Sequence, residues 1–131
     1  VVLTGPGGER ALVAELSRLM HVPAVDLAGR TSLFELGALV ERARLVVCND
    51  TGISHVAAAL RTPSVVVSSG GDVARWRPLD ATRHRVLWHD VPCRPCVHDL
   101  CPTAHECAAG VPTEAVVEAA LETLGEHAHA V

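Results

Sequence analysis

The sequence predicts an α/β domain, Rossmann-like and three-layered, with a mostly parallel sheet. Short β-branched apolar runs alternate along the chain with segments of helical periodicity, the pattern of βαβ units. Runs such as Leu45-Val46-Val47-Cys48 and Val65-Val66-Val67 are apolar at successive positions, as strands covered on both faces are. The runs end abruptly in glycine or small polar residues, for example at Gly5-Pro6-Gly7-Gly8, Asn49-Asp50-Thr51-Gly52 and Ser68-Ser69-Gly70-Gly71.

Each element follows from its residues. Residues 1–4 form a short strand. Residues 9–20 form a helix, because Leu12, Leu16, Leu19 and Met20 recur at helical spacing and Glu9 near its start suits the macrodipole. Residues 24–27 are a second strand, closed by Ala28-Gly29. Ser32 opens the next helix with Glu35 three residues on, a capping box, and Leu33, Leu36, Leu39 and Val40 form its buried stripe. A third strand covers 45–48, a helix 53–60, a fourth strand 63–67 and a fifth 83–88. A Cys-rich loop spans 93–107. Residues 113–124 form a last amphipathic helix with Val116, Val117, Ala120, Leu121 and Leu124 inward, and 125–131 read as a frayed tail.

The totals bound the function. A chain of 131 residues, 49% apolar, is one globular domain. A formal charge of −4 argues against a nucleic-acid or anionic-membrane surface. No apolar run approaches the roughly 18 residues a membrane span needs, and the start is not a signal peptide. The chain begins inside a strand, with neither Met nor lead-in, and reads as a fragment whose N-terminal part is absent.

The chemistry gathers at the strand ends. In an open α/β sheet, ligands bind outside the carboxyl ends of the strands, at the N-termini of the following helices. Asp50 at such an end can accept hydrogen bonds from sugar hydroxyls. Thr51 and Gly52 offer backbone N–H groups and a hydroxyl at a helix start, and glycine lets a phosphate approach closely. His55, one turn in, can donate to a phosphate oxygen. The set suits a sugar attached to a diphosphate. The competing reading is that Asp50 or Thr51 caps the helix and Gly52 makes the turn. On the same rim, Glu9 could take a ribose diol and Thr31 could touch a base, against plain roles at a helix start. Ser32 reads as a cap, and 68–72, which could line the pocket, reads rather as a turn.

Cys93, Cys96, Cys101 and Cys107 lie within one loop with His98 and His105 interleaved. That spacing suits a structural tetrahedral zinc, held by the four cysteines or by three and a histidine. Reduced thiols and disulfides are the alternatives, the latter disfavoured in a cytosolic protein. Cys48 reads as a buried core thiol. His21, His84, His89, His127 and His129 read as surface residues.

Four segments carry a family resemblance: Val1-Val2-Leu3-Thr4-Gly5-Pro6-Gly7-Gly8-Glu9, Asp26-Leu27-Ala28-Gly29-Arg30-Thr31-Ser32-Leu33, the stretch from Val46 to Leu60 with its Asp-Thr-Gly-x-x-His core, and Arg75-Trp76-Arg77-Pro78-Leu79. Together they resemble the C-terminal half of glycosyltransferase family 9, the ADP-heptose:lipopolysaccharide heptosyltransferases. The resemblance implies a GT-B enzyme of two Rossmann-like domains. The C-terminal one binds the nucleotide-sugar donor, and the N-terminal one, absent here, holds the acceptor and an Asp general base. It implies inverting transfer to a lipopolysaccharide core or another glycan or lipid-linked acceptor, with no metal or other cofactor needed at the sugar. By the same resemblance Glu9 matches a ribose contact, Thr31 a position beside the adenine and Asp50 the sugar hydroxyls. Thr51, Gly52 and His55 match the diphosphate and sugar contacts. A cytoplasmic location is implied, with a peripheral place at the inner face of the membrane left open. The family's Phe-Gly after the fourth strand reads Ser68-Ser69-Gly70 here, and a preceding βα unit with Thr and Lys phosphate contacts is missing. Two other classes remain as alternatives: a non-catalytic nucleotide-sugar-binding module, and a zinc-stapled interaction domain.

Overall fold

The computed structural model describes residues 1–128. They divide into two compact units, Val1–Ala38 and Leu39 onward, each described here by itself. His129 lies outside the described residues, as does the side chain of His127.

In the first unit, strand β1 (Val2–Leu3) pairs in parallel with β2 (Val25–Asp26), Val2 opposite Val25. Backbone bonds extend this pairing to the strand ends, where the Gly29 N–H donates to the Gly5 carbonyl at 2.8 Å. A 3₁₀ turn at Gly7–Glu9 leads into helix α1 (Arg10–Leu19), which buries Val13. The Arg10 guanidinium reaches back to the carbonyls of Ala28 and Gly29, at 3.1 and 3.3 Å, and so fastens the start of α1 to the end of β2. Gly29 has φ +65°, and an added Cβ would stand 2.6 Å from the Gly7 Cα. Only glycine fits there. Helix α2 (Leu33–Arg42) opens on the expected capping box. The Glu35 carboxylate accepts from both the backbone N–H and the hydroxyl of Ser32, each at 2.7 Å. Those bonds favour the ionised form and lower the Glu35 pKa, the Ser32 backbone bond foremost.

The second unit holds three parallel strands in the order β3-β4-β5: Val46–Asn49, Ser64–Ser68 and His84–Trp88. The central strand is the most deeply buried, with Val65 and Val66 in the core. Helix α3 (Gly52–Ala59) packs on β3 and β4, burying Ser54 and Ala57. Helix α6 (Thr113–Ala128) packs on β4 and β5. Two short helices were not among the elements read from sequence: α4 (Val73–Trp76), which follows the 68–72 turn, and α5 (Glu106–Ala109), which begins at the end of the Cys-rich loop. The buried Thr62 hydroxyl donates to the Val40 carbonyl at 2.9 Å.

Several expectations change. The parallel strands form two separate sheets, not one continuous sheet, because β1 and β3 are not hydrogen-bonded to each other. Helix α6 continues to Ala128, taking in the described part of the stretch read as a frayed tail. Its inward face carries Ala119 and Thr123, while Val117 and Leu121 are 52% and 64% exposed. Small residues let the helix approach the sheet closely, and the Thr123 hydroxyl is satisfied by the Ala119 carbonyl at 2.7 Å. On α1 the apolar stripe faces solvent, with Leu12, Leu16 and Leu19 exposed; on α2, Leu33 is exposed and Val40 is the buried residue. His84 is buried, its Nδ1 2.9 Å from the Ser64 hydroxyl, because β5 turns that side chain inward beside β4. Cys48 is only half-buried.

Gly29→Ala is expected to destabilise the first unit by at least about 2 kcal/mol, since a left-handed non-glycine residue alone costs about 1–2 kcal/mol. Faster amide exchange across residues 1–38, with little change beyond them, is the readout.

Candidate functional site

Strand β3 delivers Asp50 to the rim. Its N–H continues the parallel ladder to the Val67 carbonyl at 3.1 Å. The chain then turns through Thr51, whose N–H bonds the Asn49 carbonyl at 2.8 Å, and enters α3 at Gly52. Thr51 stands at the N-cap position, yet its side chain makes no capping bond, and the Asp50 carboxylate bonds elsewhere. The helix-capping reading of these two side chains therefore fails. Above Gly52 there is open space: an added Cβ would meet nothing within 4 Å. His55 is exposed one turn further on. The start of α3 is thus open above Gly52, with the exposed Thr51 and His55 on either side of it in the chain and the Asp50 carboxylate just before.

Asp50 is fixed by the neighbouring strand end. Parallel register sets Asn49 opposite Val67, so the residues that follow β3 and β4 emerge side by side. The Ser68 hydroxyl donates to Asp50 Oδ2 at 2.8 Å. Gly71 leaves room for that oxygen, since a Cβ there would come within 2.5 Å of it. The Ser68–Gly71 turn is itself clamped from the Cys-rich loop. Arg94 donates to the carbonyls of Gly71 and His89 at 2.7 and 3.0 Å, and the Cys96 N–H donates to the Gly70 carbonyl at 2.8 Å. The His55 ring also meets the indole of Trp76, ring centroids 6.0 Å apart at 64°.

The predicted residues thus fall into two groups. Asp50, Thr51, Gly52 and His55 share one loop of the second unit. Glu9 and Thr31 belong to the first unit, at the ends of β1 and β2. The exposed Glu9 carboxylate lies over Gly5, where a Cβ would approach Oε2 to 2.9 Å, and Thr31 is half-buried two residues beyond Gly29. The rim of the second unit is open rather than enclosed. A cavity of about 510 Å³ does exist, but it lies between β5 and α6, lined by Arg85, Trp88, Glu118 and Glu122 among others, and no residue of the Asp50 loop borders it.

Among the described residues no three Cys, His, Asp or Glu side chains converge as a metal would need. Cys96 packs its Cβ against Gly70, Cys107 is buried in α5, and the Cys101 sulfur accepts the His105 N–H at 3.1 Å. The loop is held by Arg94 and backbone bonds, and all five thiols are unpaired by disulfides. Arg94 was the residue that sequence reading passed over, and Ser68 and Gly71 were considered only as a turn or pocket lining, not as supports of Asp50. Ser68-Ser69-Gly70-Gly71 was visible as a turn, but nothing in it signalled a bond to Asp50, and Arg94 is twenty-three residues from the carbonyl it holds.

The thiols differ in reactivity. Burial, with the nearby Asp50 charge adding to it, pushes the Cys48 pKa up to about 11. Backbone N–H donation from Thr103 and then His105 lowers that of Cys101. Since the thiolate is the nucleophile, iodoacetamide at pH 8 is expected to label Cys101 before Cys48, as peptide mass mapping over time would record. Labelling in the reverse order would contradict this arrangement.

Comparison with known proteins agrees with the fold. A family model described as glycosyltransferase family 9 (heptosyltransferase) matches residues 1–106. Lipopolysaccharide heptosyltransferase 3 of Escherichia coli K12 is 41% identical over 81 residues, 60% of this chain and 24% of that protein. Lipooligosaccharide heptosyltransferase 2 of Campylobacter jejuni is 22% identical over 129 residues, 95% of this chain and 40% of that protein. The crystal structure of a family 9 glycosyltransferase from Veillonella parvula superposes with a TM-score of 0.79 at 21% identity, over 95% of this chain and 36% of that one. The structure of the E. coli ADP-heptose lipopolysaccharide heptosyltransferase II gives 0.80 at 24% identity, over 97% and 37%. The chain thus spans between about a quarter and two fifths of these relatives. With the family's pattern running through its first 106 residues, and the fold of the family's solved members in both units, the chain belongs to glycosyltransferase family 9, the heptosyltransferases.

Proposed function

We propose that this chain is the donor-binding part of an inverting glycosyltransferase, and that its ligand is an ADP-heptose-like nucleotide sugar. The observation that carries this reading is the fixed Asp50 carboxylate beside the open N-terminus of α3. Acceptors of hydrogen bonds stand on one side and donors on the other. A ligand with hydroxyls at one end and a diphosphate at the other meets both.

Asp50 accepts bonds from the sugar hydroxyls and orients the ring. The Thr51 hydroxyl and the N–H groups at the start of α3 hold the diphosphate, where the helix dipole also favours negative charge. In the first unit, Glu9 and Thr31 match the family's ribose and base contacts by resemblance only. The acceptor hydroxyl, deprotonated by a carboxylate base outside this chain, attacks the anomeric carbon as its bond to the diphosphate breaks. Charge then grows on the departing nucleoside diphosphate. In this reading His55 and the helix start stabilise that charge, and preorganised donors of this kind are worth roughly 10²–10³ in rate for each one removed. The acceptor in this reading is a lipopolysaccharide core or a related glycan. It is met in the cytoplasm, at or near the inner face of the membrane. No helix among the described residues is long and apolar enough to cross a membrane.

Calorimetry with ADP, ADP-heptose and UDP-sugars tests the proposal. ADP-heptose is expected to bind. Asp50→Ala is expected to weaken it about tenfold, the loss of a charge-assisted hydrogen bond, while leaving ADP affinity unchanged. Absence of binding by any of these nucleotides would refute the reading. The chain by itself is expected to show no transfer, and release of ADP in the presence of a lipopolysaccharide acceptor would contradict the assignment of the base to another part of the protein.

A further inference from the structure

Helix α4 follows directly on the turn that holds Asp50. Asp72 caps it, accepting the Arg75 N–H at 3.2 Å. The last residue of α4 is Trp76, one of only three Phe, Trp or Tyr residues in the chain. Its indole is constrained from two directions. The His55 ring meets it edge-on at 6.0 Å, and the Arg75 guanidinium carbon lies 5.1 Å from its centroid. Even so, 48% of Trp76 is exposed. A large aromatic side chain oriented by its neighbours, yet not buried by them, presents a ready-made apolar wall. It stands against His55, on the same rim as the Asp50 carboxylate.

We infer that Trp76 is a specificity-determining residue of the sugar subsite, packing its exposed indole surface against the apolar C–H face of the transferred sugar. This rests on the donor-site reading and deepens it. Asp50 reads the hydroxyl-bearing edge of the ring, the start of α3 holds the diphosphate, and Trp76 covers the remaining apolar face. A sugar whose polar hydroxyl is turned toward the indole leaves that hydroxyl without a partner, so epimers are rejected by a desolvation cost rather than by a clash.

The chain has two tryptophans and no tyrosine, so in a Trp88→Phe background Trp76 is the sole strong emitter. Titration of that protein with ADP-heptose is expected to change Trp76 emission saturably, and titration with ADP to change it much less. Trp76→Ala is expected to weaken ADP-heptose about tenfold with ADP affinity retained, the latter also showing that the variant is folded. Trp76→Phe is expected to restore most of the loss. If ADP-heptose binds but Trp76→Ala leaves the ratio of the two affinities unchanged, the role of Trp76 is refuted and the donor site stands. If neither nucleotide binds the parent chain, the donor-site reading fails and this inference fails with it.

Discussion

The hydrogen bond from the Ser68 hydroxyl to Asp50 Oδ2 ties together the ends of two neighbouring parallel strands, and the arrangement of the rim depends on it. Parallel register brings the two ends level, with Asn49 opposite Val67 and Asp50 bonded to the Val67 carbonyl. The central strand β4 is buried along most of its length, so the position of Ser68 is set by the core. Asp50 therefore inherits its place from Val65 and Val66 rather than from its own loop. A carboxylate held by a neighbouring strand end is oriented before any ligand arrives, as the proposed sugar-positioning role requires.

The support behind this bond is unusual in its source. A segment with four cysteines provides it, but through an arginine and a backbone amide. Arg94 gathers carbonyls that converge where the Ser68–Gly71 turn and the end of β5 meet. Gly70 and Gly71 are both needed for close packing, one against Cys96 and one against Asp50. The loop so read is a buttress for the turn.

The exposed apolar surface of the chain has a consistent pattern. Leu12, Leu16 and Leu19 of α1, Leu33 of α2 and Val47 of β3 face outward. Parallel sheets are ordinarily covered on both faces, and a two-stranded sheet such as β1-β2 gains little stability by itself. Its hold on α1 comes from polar ties, the Arg10 bonds to Ala28 and Gly29, as much as from the single buried Val13. These surfaces belong to a chain that spans only part of the length of its relatives.

The sequence by itself determined the succession of strands and helices, because β-branched runs and helical periodicity are local properties. The Ser32–Glu35 box and the Asn49–Gly52 strand end were legible for the same reason: both are written within a few residues. Legible too was the loop that gathers Asp50, Thr51, Gly52 and His55. Tertiary structure alone decided which faces were buried. On α6 the larger apolar residues pointed to one face, but close approach to the sheet selected Ala119 and Thr123. It also decided that His84 lies inside against Ser64, that the parallel strands divide between two sheets, and that the cysteines stand apart. The partners of Asp50 and Trp76 were likewise beyond the sequence. Ser68, Gly71 and His55 reach them across strand and helix boundaries, through a register and a packing distance that no local pattern encodes.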